Sequence, residues 1–316
     1  MHAAKPPRKT VARETVAAAT KGTIWAFVAL IGANMALAIG PWFVRLADTG
    51  PIAAGFWRIT LAAPLLTVLA LRGGWRPVGI SRSLWIMLVF GGVCFAADLA
   101  SWHLGILRTT LANSTLFGNS AILFFPVYGF LVARTWPTRS QGLALLLALI
   151  GATLLMGRSY ELNPRNLTGD LLCLLAGVLY TVYFICMARA RDTLAPFPAL
   201  ALSTITSILP LLLFAIVAGE RIMPHDWAPL LGLALVSQVI GQGLMIYSLG
   251  RFSPLVVGIA LLTQPVMAAA IGLLVYGERL GLPDLIGAAL VAVALVLVRD
   301  APKEPDQLAA EPVETR

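Results

Sequence analysis

Charge is what this sequence has least of. Only 12% of its 316 residues are Asp, Glu, Lys or Arg, and 59% are hydrophobic, whereas an average soluble domain is about 25% charged. A soluble fold of this size could not cover its surface with so few charges, which excludes disordered chains, secreted disulfide scaffolds and ordinary cytosolic enzymes. Cysteine is also scarce. Cys94, Cys173 and Cys186 each fall in an apolar run and are expected as small buried hydrophobes, with no disulfide or metal role. The GxxxxGK[ST] phosphate loop is missing, as are HExxH, GxSxG and CxxC. ATP hydrolysis by that loop is therefore not expected, nor is any cofactor or metal. The net charge of +8 bears on orientation in a bilayer and not on nucleic acid.

Long apolar runs are what the chain has in abundance. A bilayer-spanning helix needs about 20 mostly apolar residues. Ten runs qualify: 23–45, 53–72, 84–107, 111–133, 140–157, 169–188, 197–219, 228–249, 254–276 and 285–298. Their connections are too short to hold a soluble domain, and they lack the alternation of a membrane barrel. The fold class expected is an all-α membrane protein. The segment 1–22 reads as a basic, disordered tail, and 300–316, which contains Pro and Glu, as a second disordered tail. Ten spans put both termini on one side. With the termini inside, inner segments carry 16 Lys/Arg and outer segments seven, so both ends are expected in the cytoplasm of an inner-membrane, multi-pass protein.

Sliding the sequence on itself by 145 residues aligns its halves. Gly32 meets Gly177, Pro51 meets Pro196, Leu104-Gly105 meets Leu249-Gly250, Asn119 meets Gln264 and Gly142 meets Gly287. This shared register points to two repeats, 23–157 and 169–299. Each has five spans, an odd number, so the second copy enters the membrane from the opposite face. Inverted repeats of this kind recur in secondary transporters, with the substrate site near midplane where the halves meet.

Several local motifs carry a resemblance. Asp98-Leu-Ala-Ser-Trp102-His103 is followed by Ala112-Asn113, and Gln264-Pro265 by Gly277-Glu278-Arg279 and Gly287, while Trp57-Arg58 opens the second span. With the two five-span repeats, these residues resemble EamA-type members of the drug/metabolite transporter superfamily over 23–298. The resemblance implies ten helices in two inverted five-helix repeats and transport, often export, of small metabolites. The first repeat departs from the second at Ser120 against Pro265, and at Ala133 against Glu278.

An ionisable group in hydrocarbon costs about 2.5–3.5 kcal/mol on insertion scales, so each one needs a reason. Asp98 is the only acid deep in a span, about 21 Å along the third helix at 1.5 Å per residue. Two readings stay open. It carries a proton or meets a cationic substrate group, or it pairs with His103, Arg58 or the next helix to fix packing. His103 is the second coupling candidate, with interface anchoring as its alternative. Arg58 lies one turn from its helix end, where a side chain can snorkel to the interface.

Neutral polar and aromatic residues extend the candidate set. Gln238 and Gln242 lie one turn apart on the eighth span, Tyr180 and Tyr183 share a face of the sixth, Asn113 and Asn119 lie in the fourth, Gln264 in the ninth and Asn34 in the first. In register, Asn119 corresponds to Gln264 and Trp102 to Tyr247, and both pairs are expected to face one another across a central cavity. Interhelical glue is the alternative for each. Pro64, Pro126, Pro210 and Pro265 are expected to kink their helices. The fifth and tenth spans read as scaffold, with Ala144, Ala148 and Ala152 as a close-packing stripe that either stays within the chain or serves a homodimer. Taken together, the residues favour a secondary transporter of a small polar or amphipathic metabolite, driven by the substrate gradient or by an ion, with a proton through Asp98 as the candidate. A membrane-embedded enzyme acting on a lipid-borne substrate is the rival reading.

Overall fold

The computed structural model describes residues 8–109, 117–156, 164–276 and 281–298. All the regular elements there are helical. We name them α1 (Arg8–Leu46), α2 (Pro51–Arg72), α3 (Arg82–Ile106), α4 (Ala121–Ala133), α5 (Arg139–Met156), α6 (Leu167–Ala190), α7 (Pro196–Val217), α8 (228–249), α9 (254–276) and α10 (Leu282–Val298). Among the described residues, α1, α2, α3, α6, α7 and α8 are long and apolar enough to cross a membrane, and α4, α5, α9 and α10 contain shorter apolar stretches. Proline in the first turn starts α2, α7, α8 and α9, where its missing N–H costs nothing. Ser81 starts α3 by accepting the Leu84 N–H at 3.2 Å. Arg134 closes α4 in the left-handed region at φ 50, as C-terminal caps often do. The outer faces are apolar: Leu209, Leu213 and Val217 stand exposed along α7, as helices in lipid require.

Three local expectations change. From Arg8 onward the segment before the first apolar run is helical, because α1 begins there. Its Val-Ala-Ala-Ala-Thr stretch and flanking Lys, Arg and Glu are mostly good helix formers, so the turn pattern continues outward from the span. The eighth span is not a regular α-helix, since Ala234–Gln242 winds with wide i→i+5 bonding. The ninth is broken at Leu262, between Pro254–Leu261 and Thr263–Tyr276. Pro265 has no N–H to give the Leu261 carbonyl, and the Leu262 N–H turns back to Ile259 at 3.1 Å. At the matching place in the first half, 117–120, α4 is preceded by a turn, with the Ser120 N–H on the Phe117 carbonyl at 3.1 Å.

Helices of the first half pack on helices of the second, and the pairings run antiparallel. A Cβ placed on Gly50, before α2, would strike Glu220, beyond the end of α7, while Gly105 near the end of α3 approaches Gly169 and Cys173 at the start of α6. On α1 and α8, Gly40 approaches Ser237 and Gly32 approaches Leu244; on α4 and α9, Gly129 approaches Pro254 and Pro126 approaches Gly258. On α5 and α10, the Gly151 Cβ position lies 2.7 Å from the Gly287 carbonyl oxygen. Ala144, Ala148 and Ala152 are buried, so the small-residue stripe is covered within the chain. All three cysteines are free and buried.

Candidate functional site

Side chains from α2, α3, α6, α7 and α8 meet inside the bundle. Arg58 lies about 10 Å along α2 from its start, and Asp98 about 12 Å from the end of α3, at 1.5 Å per residue. Both distances run from the same end, because Gly55 packs against His103. Arg58 does not snorkel. Its Nε donates to Gln238 Oε1 at 3.0 Å, and its guanidinium carbon stands 5.9 Å from the centroid of the Phe95 ring. Gln238 in turn gives its amide N–H to Thr204 Oγ1 at 3.1 Å, and both residues are fully buried. The docking of α2 on α7 and α8 turns this face inward, and the Gln238 carbonyl and Phe95 ring offer the cation partners there.

Asp98 is one turn beyond Phe95 on α3. It is buried and within electrostatic reach of Arg58, yet no ion pair joins the two among the described residues. An aromatic wall stands beside them. Phe95 stacks on Tyr183 at 4.5 Å and 16° and on Tyr180 at 6.2 Å, and Tyr180 meets Phe184 at 4.2 Å. The Tyr180 hydroxyl accepts an amide N–H from Gln242 at 3.2 Å. Gln238 and Gln242 therefore both point into the bundle from the widened segment of α8, a winding often found at functional sites.

A second polar pair lies at the break in α9, where Gln264 Nε2 donates to Asn34 Oδ1 at 3.0 Å and Asn34 Nδ2 donates to the Leu30 carbonyl at 2.8 Å. Asn119 sits in the matching turn before α4, its carbonyl accepting the Ile122 N–H at 3.0 Å. Broken helices are tolerated at membrane depth where protein or a cavity surrounds the freed groups. Asn113 lies outside the described residues.

Trp102 and Tyr247 do not face each other. Trp102 lies near the α6 start, against His103 and Gly118. Tyr247 lies near the α6 end, where the Arg251 guanidinium carbon stands 4.3 Å from its ring centroid and Gly250 packs on Arg191. An in-plane two-fold axis sends equivalent residues to opposite depths unless they lie at midplane. His103 is buried, and its Nδ1 has no hydrogen-bond partner.

Polar links tie the halves together at one end. Glu220 accepts the Ala53 N–H at 2.8 Å, Trp57 Nε1 donates to the Ile222 carbonyl at 2.7 Å and the Gly50 N–H donates to the Arg221 carbonyl at 3.0 Å. Asp48 accepts the His225 N–H at 2.8 Å and faces Arg221 at 3.8 Å. Thr109 donates to Asp170 beside them. At the other end Arg191 bonds the carbonyls of Ile246 and Leu194, both in its own half. The His225 main-chain N–H holds the Asp48 carboxyl below its ordinary value of 3.8. A carboxyl lowered by folding stabilises fully above its unfolded value, and that contribution is lost as pH falls through the folded one. The Asp48 contact therefore persists through neutral and mildly acidic pH and is no switch there.

Residue-level reading of the sequence did not single out Phe95 or Thr204, and it offered an inward Arg58 only as one possible partner of Asp98. A signal existed for the first two: Phe95 is one turn from Asp98, and Ser203, Thr204, Thr206 and Ser207 put four hydroxyls within five positions of an otherwise apolar span.

Known proteins share this architecture. The profile of the EamA-like transporter family matches residues 20–157 and again 167–299. An uncharacterized transporter of Archaeoglobus fulgidus is 24% identical over 75% of this chain and 83% of its own. The threonine/homoserine exporter RhtA of Salmonella typhimurium is 27% identical over 51% of this chain; the match spans about half of that exporter, 55% of its length. A solved crystal structure superposes with a TM-score of 0.71 at 13% identity, covering 88% of this chain and 96% of that one, which speaks to the fold alone. Two family matches covering most of the chain, on an all-helical apolar bundle, place the protein in the EamA-like transporter family, as a multi-pass membrane transporter of the drug/metabolite superfamily.

Proposed function

We propose that the chain is a secondary carrier that exports a small polar or amphipathic metabolite of the amino-acid type across the inner membrane by alternating access. In this reading ten spans form two inverted five-helix repeats, 23–157 and 169–299, with both termini in the cytoplasm. The antiparallel pairing of α2 with α7 and of α4 with α9 supports the inversion. Moving Arg58 from the outer loops to the interior leaves six basic residues on the outer side against 16 inside, which sharpens the orientation. The latched end is then the outer one, and the carrier rests with its outer gate shut.

The observation that carries the proposal is Arg58 of the first half reaching Gln238 of the second beside the buried Asp98. A cation and an acid kept inside a lipid-facing bundle mark a substrate or ion route. Asp98, Tyr180, Tyr183, Gln238, Gln242 and Gln264 form the centre of the proposed site, Trp102, Asn119 and Tyr247 lie along its path, and Asn113 is carried as a candidate from the sequence alone. Asp98 couples protons, with His103 as the second candidate. The exporter name of the Salmonella relative supports the outward direction and the amino-acid class. An enzyme on lipid-borne substrate would gather its polar groups at one interface, whereas these run through the bundle.

The test is flux from proteoliposomes against a panel of amino acids and related metabolites, with and without a pH gradient. Flux of at least one member that rises with the gradient, and loses that dependence in Asp98→Asn, is expected. No flux for any member, with turnover of a lipid substrate instead, would overturn the reading. Unchanged pH dependence in Asp98→Asn would remove Asp98 from coupling.

A further inference from the structure

The central charges are incompletely used. A guanidinium offers five N–H donors, yet Arg58 spends one hydrogen bond, from Nε to Gln238. Nη1 and Nη2 make none among the described residues, and Arg58 is only half-buried. Asp98 likewise makes no ion pair and no hydrogen bond through its carboxylate among the described residues, although it is buried and within reach of Arg58's field. Gln242 gives its N–H to Tyr180, while its Oε1 is buried and accepts nothing. Opposite charges left unjoined in a low-dielectric interior are costly unless a ligand joins them. A guanidinium with both terminal nitrogens open matches a carboxylate bidentately. An open carboxylate and an amide oxygen match an ammonium.

We infer that the space between Arg58 and Asp98 takes a free α-amino acid as its zwitterion, the carboxylate on Arg58 Nη1 and Nη2 and the ammonium on Asp98, with the side chain against Phe95 and Tyr180. The inference deepens the transport reading and rests on it for the direction of movement, but the binding itself is separable. A neutral or singly charged metabolite leaves one of the two charges unpaired. The dipolar ligand satisfies both without adding net charge to the site. The stacked rings supply an apolar face for an aliphatic or aromatic side chain.

The probe set is L-leucine, L-phenylalanine and L-threonine, each as the free amino acid, the N-acetyl derivative and the amide. Binding is read by thermal shift of the detergent-solubilised full chain, and flux in proteoliposomes. Free amino acids are expected to bind about a hundredfold more tightly than either blocked form, as sites built around a polar group discriminate against its absence. Asp98→Asn is expected to lose the distinction between free and N-acetyl forms, and Arg58→Gln that between free acid and amide. This exchange of selectivities is a readout that mere loss of fold cannot produce. Zwitterion-selective binding without flux leaves the site standing and removes the carrier. Flux or binding in which a blocked form equals or exceeds the free amino acid overturns the zwitterion site and leaves the carrier. No binding of any probe overturns the site as well.

Discussion

Arg58→Gln is expected to lower flux by two to three orders of magnitude while the protein still elutes as a folded species from size-exclusion chromatography. The side chain is removed from Phe95 and Gln238, and Asp98 loses the field of the Arg58 cation. Removing one partner of a buried charged pair costs about 3–5 kcal/mol, and each 1.4 kcal/mol is about tenfold. Glutamine keeps a hydrogen-bonding group of similar reach, so the helices need not part. A snorkelling arginine would behave differently. Its replacement would leave flux within about twofold, since surface charges contribute little. Initial-rate flux at matched reconstituted protein separates the two outcomes. Arg58→Lys belongs in the same experiment: it keeps the charge but not the planar fork, and recovers only part of the activity.

Gly105→Val is expected to abolish folding rather than transport chemistry. A Cβ on Gly105 would sit 2.5 Å from Cys173 Sγ, 3.0 Å from the Gly169 carbonyl oxygen and 3.2 Å from the Cys173 nitrogen. Two of these three obstacles are backbone, so no rotamer change relieves them. The helices that would be driven apart are α3 and α6, which carry Phe95 and Asp98 on one side and Tyr180 and Tyr183 on the other. Overpacking costs about 1–3 kcal/mol and occasionally more, and the β-branched side chain with two backbone clashes belongs at the upper end. Fluorescence-detected size-exclusion should show aggregate in place of the wild-type peak. Gly142→Ala is the control, because nothing lies within 4 Å of its Cβ position, and its profile should match wild type. A normal profile for Gly105→Val would mean that α3 and α6 are not packed this closely.

The span pattern was legible because hydrocarbon leaves little choice of composition, and the 145-residue register carried over to helices that pair across the two halves. Breaks in the helices were half legible. Pro265 announces the one in α9, whereas Ser120 stands at the matching position before α4, where the turn depends on close packing: a Cβ on Gly177 would meet the Phe117 and Gly118 carbonyls at 3.1 Å. Arg58 shows the limit more sharply. Whether an arginine one turn inside a helix points to lipid headgroups or to the core depends on how that helix is rotated. For α2 the rotation follows contacts with Glu220, Arg221 and Ile222, about 165 positions away in the chain. The wide winding of Ala234–Gln242 has no composition signature, although the inward placement of both glutamines survives it, since four positions bring a residue near the same face in either winding. Register pairs Trp102 with Tyr247, but register does not give depth, and the two lie towards opposite ends of α6.

Opposed motion of the two ends tests the account most directly. Spin labels would be placed at Leu46→Cys and Met223→Cys on the latched end and, in a second sample, at Arg76→Cys and Thr193→Cys on the other, all at exposed positions. Cys94, Cys173 and Cys186 would be replaced by alanine. Distances are measured by double electron–electron resonance with and without the best-transported amino acid of the flux panel. The account predicts that the ligand lengthens the 46–223 distance as the 76–193 distance shortens, one gate opening while the other closes. Both distances lengthening together, or neither changing under a ligand that is demonstrably carried, would contradict it.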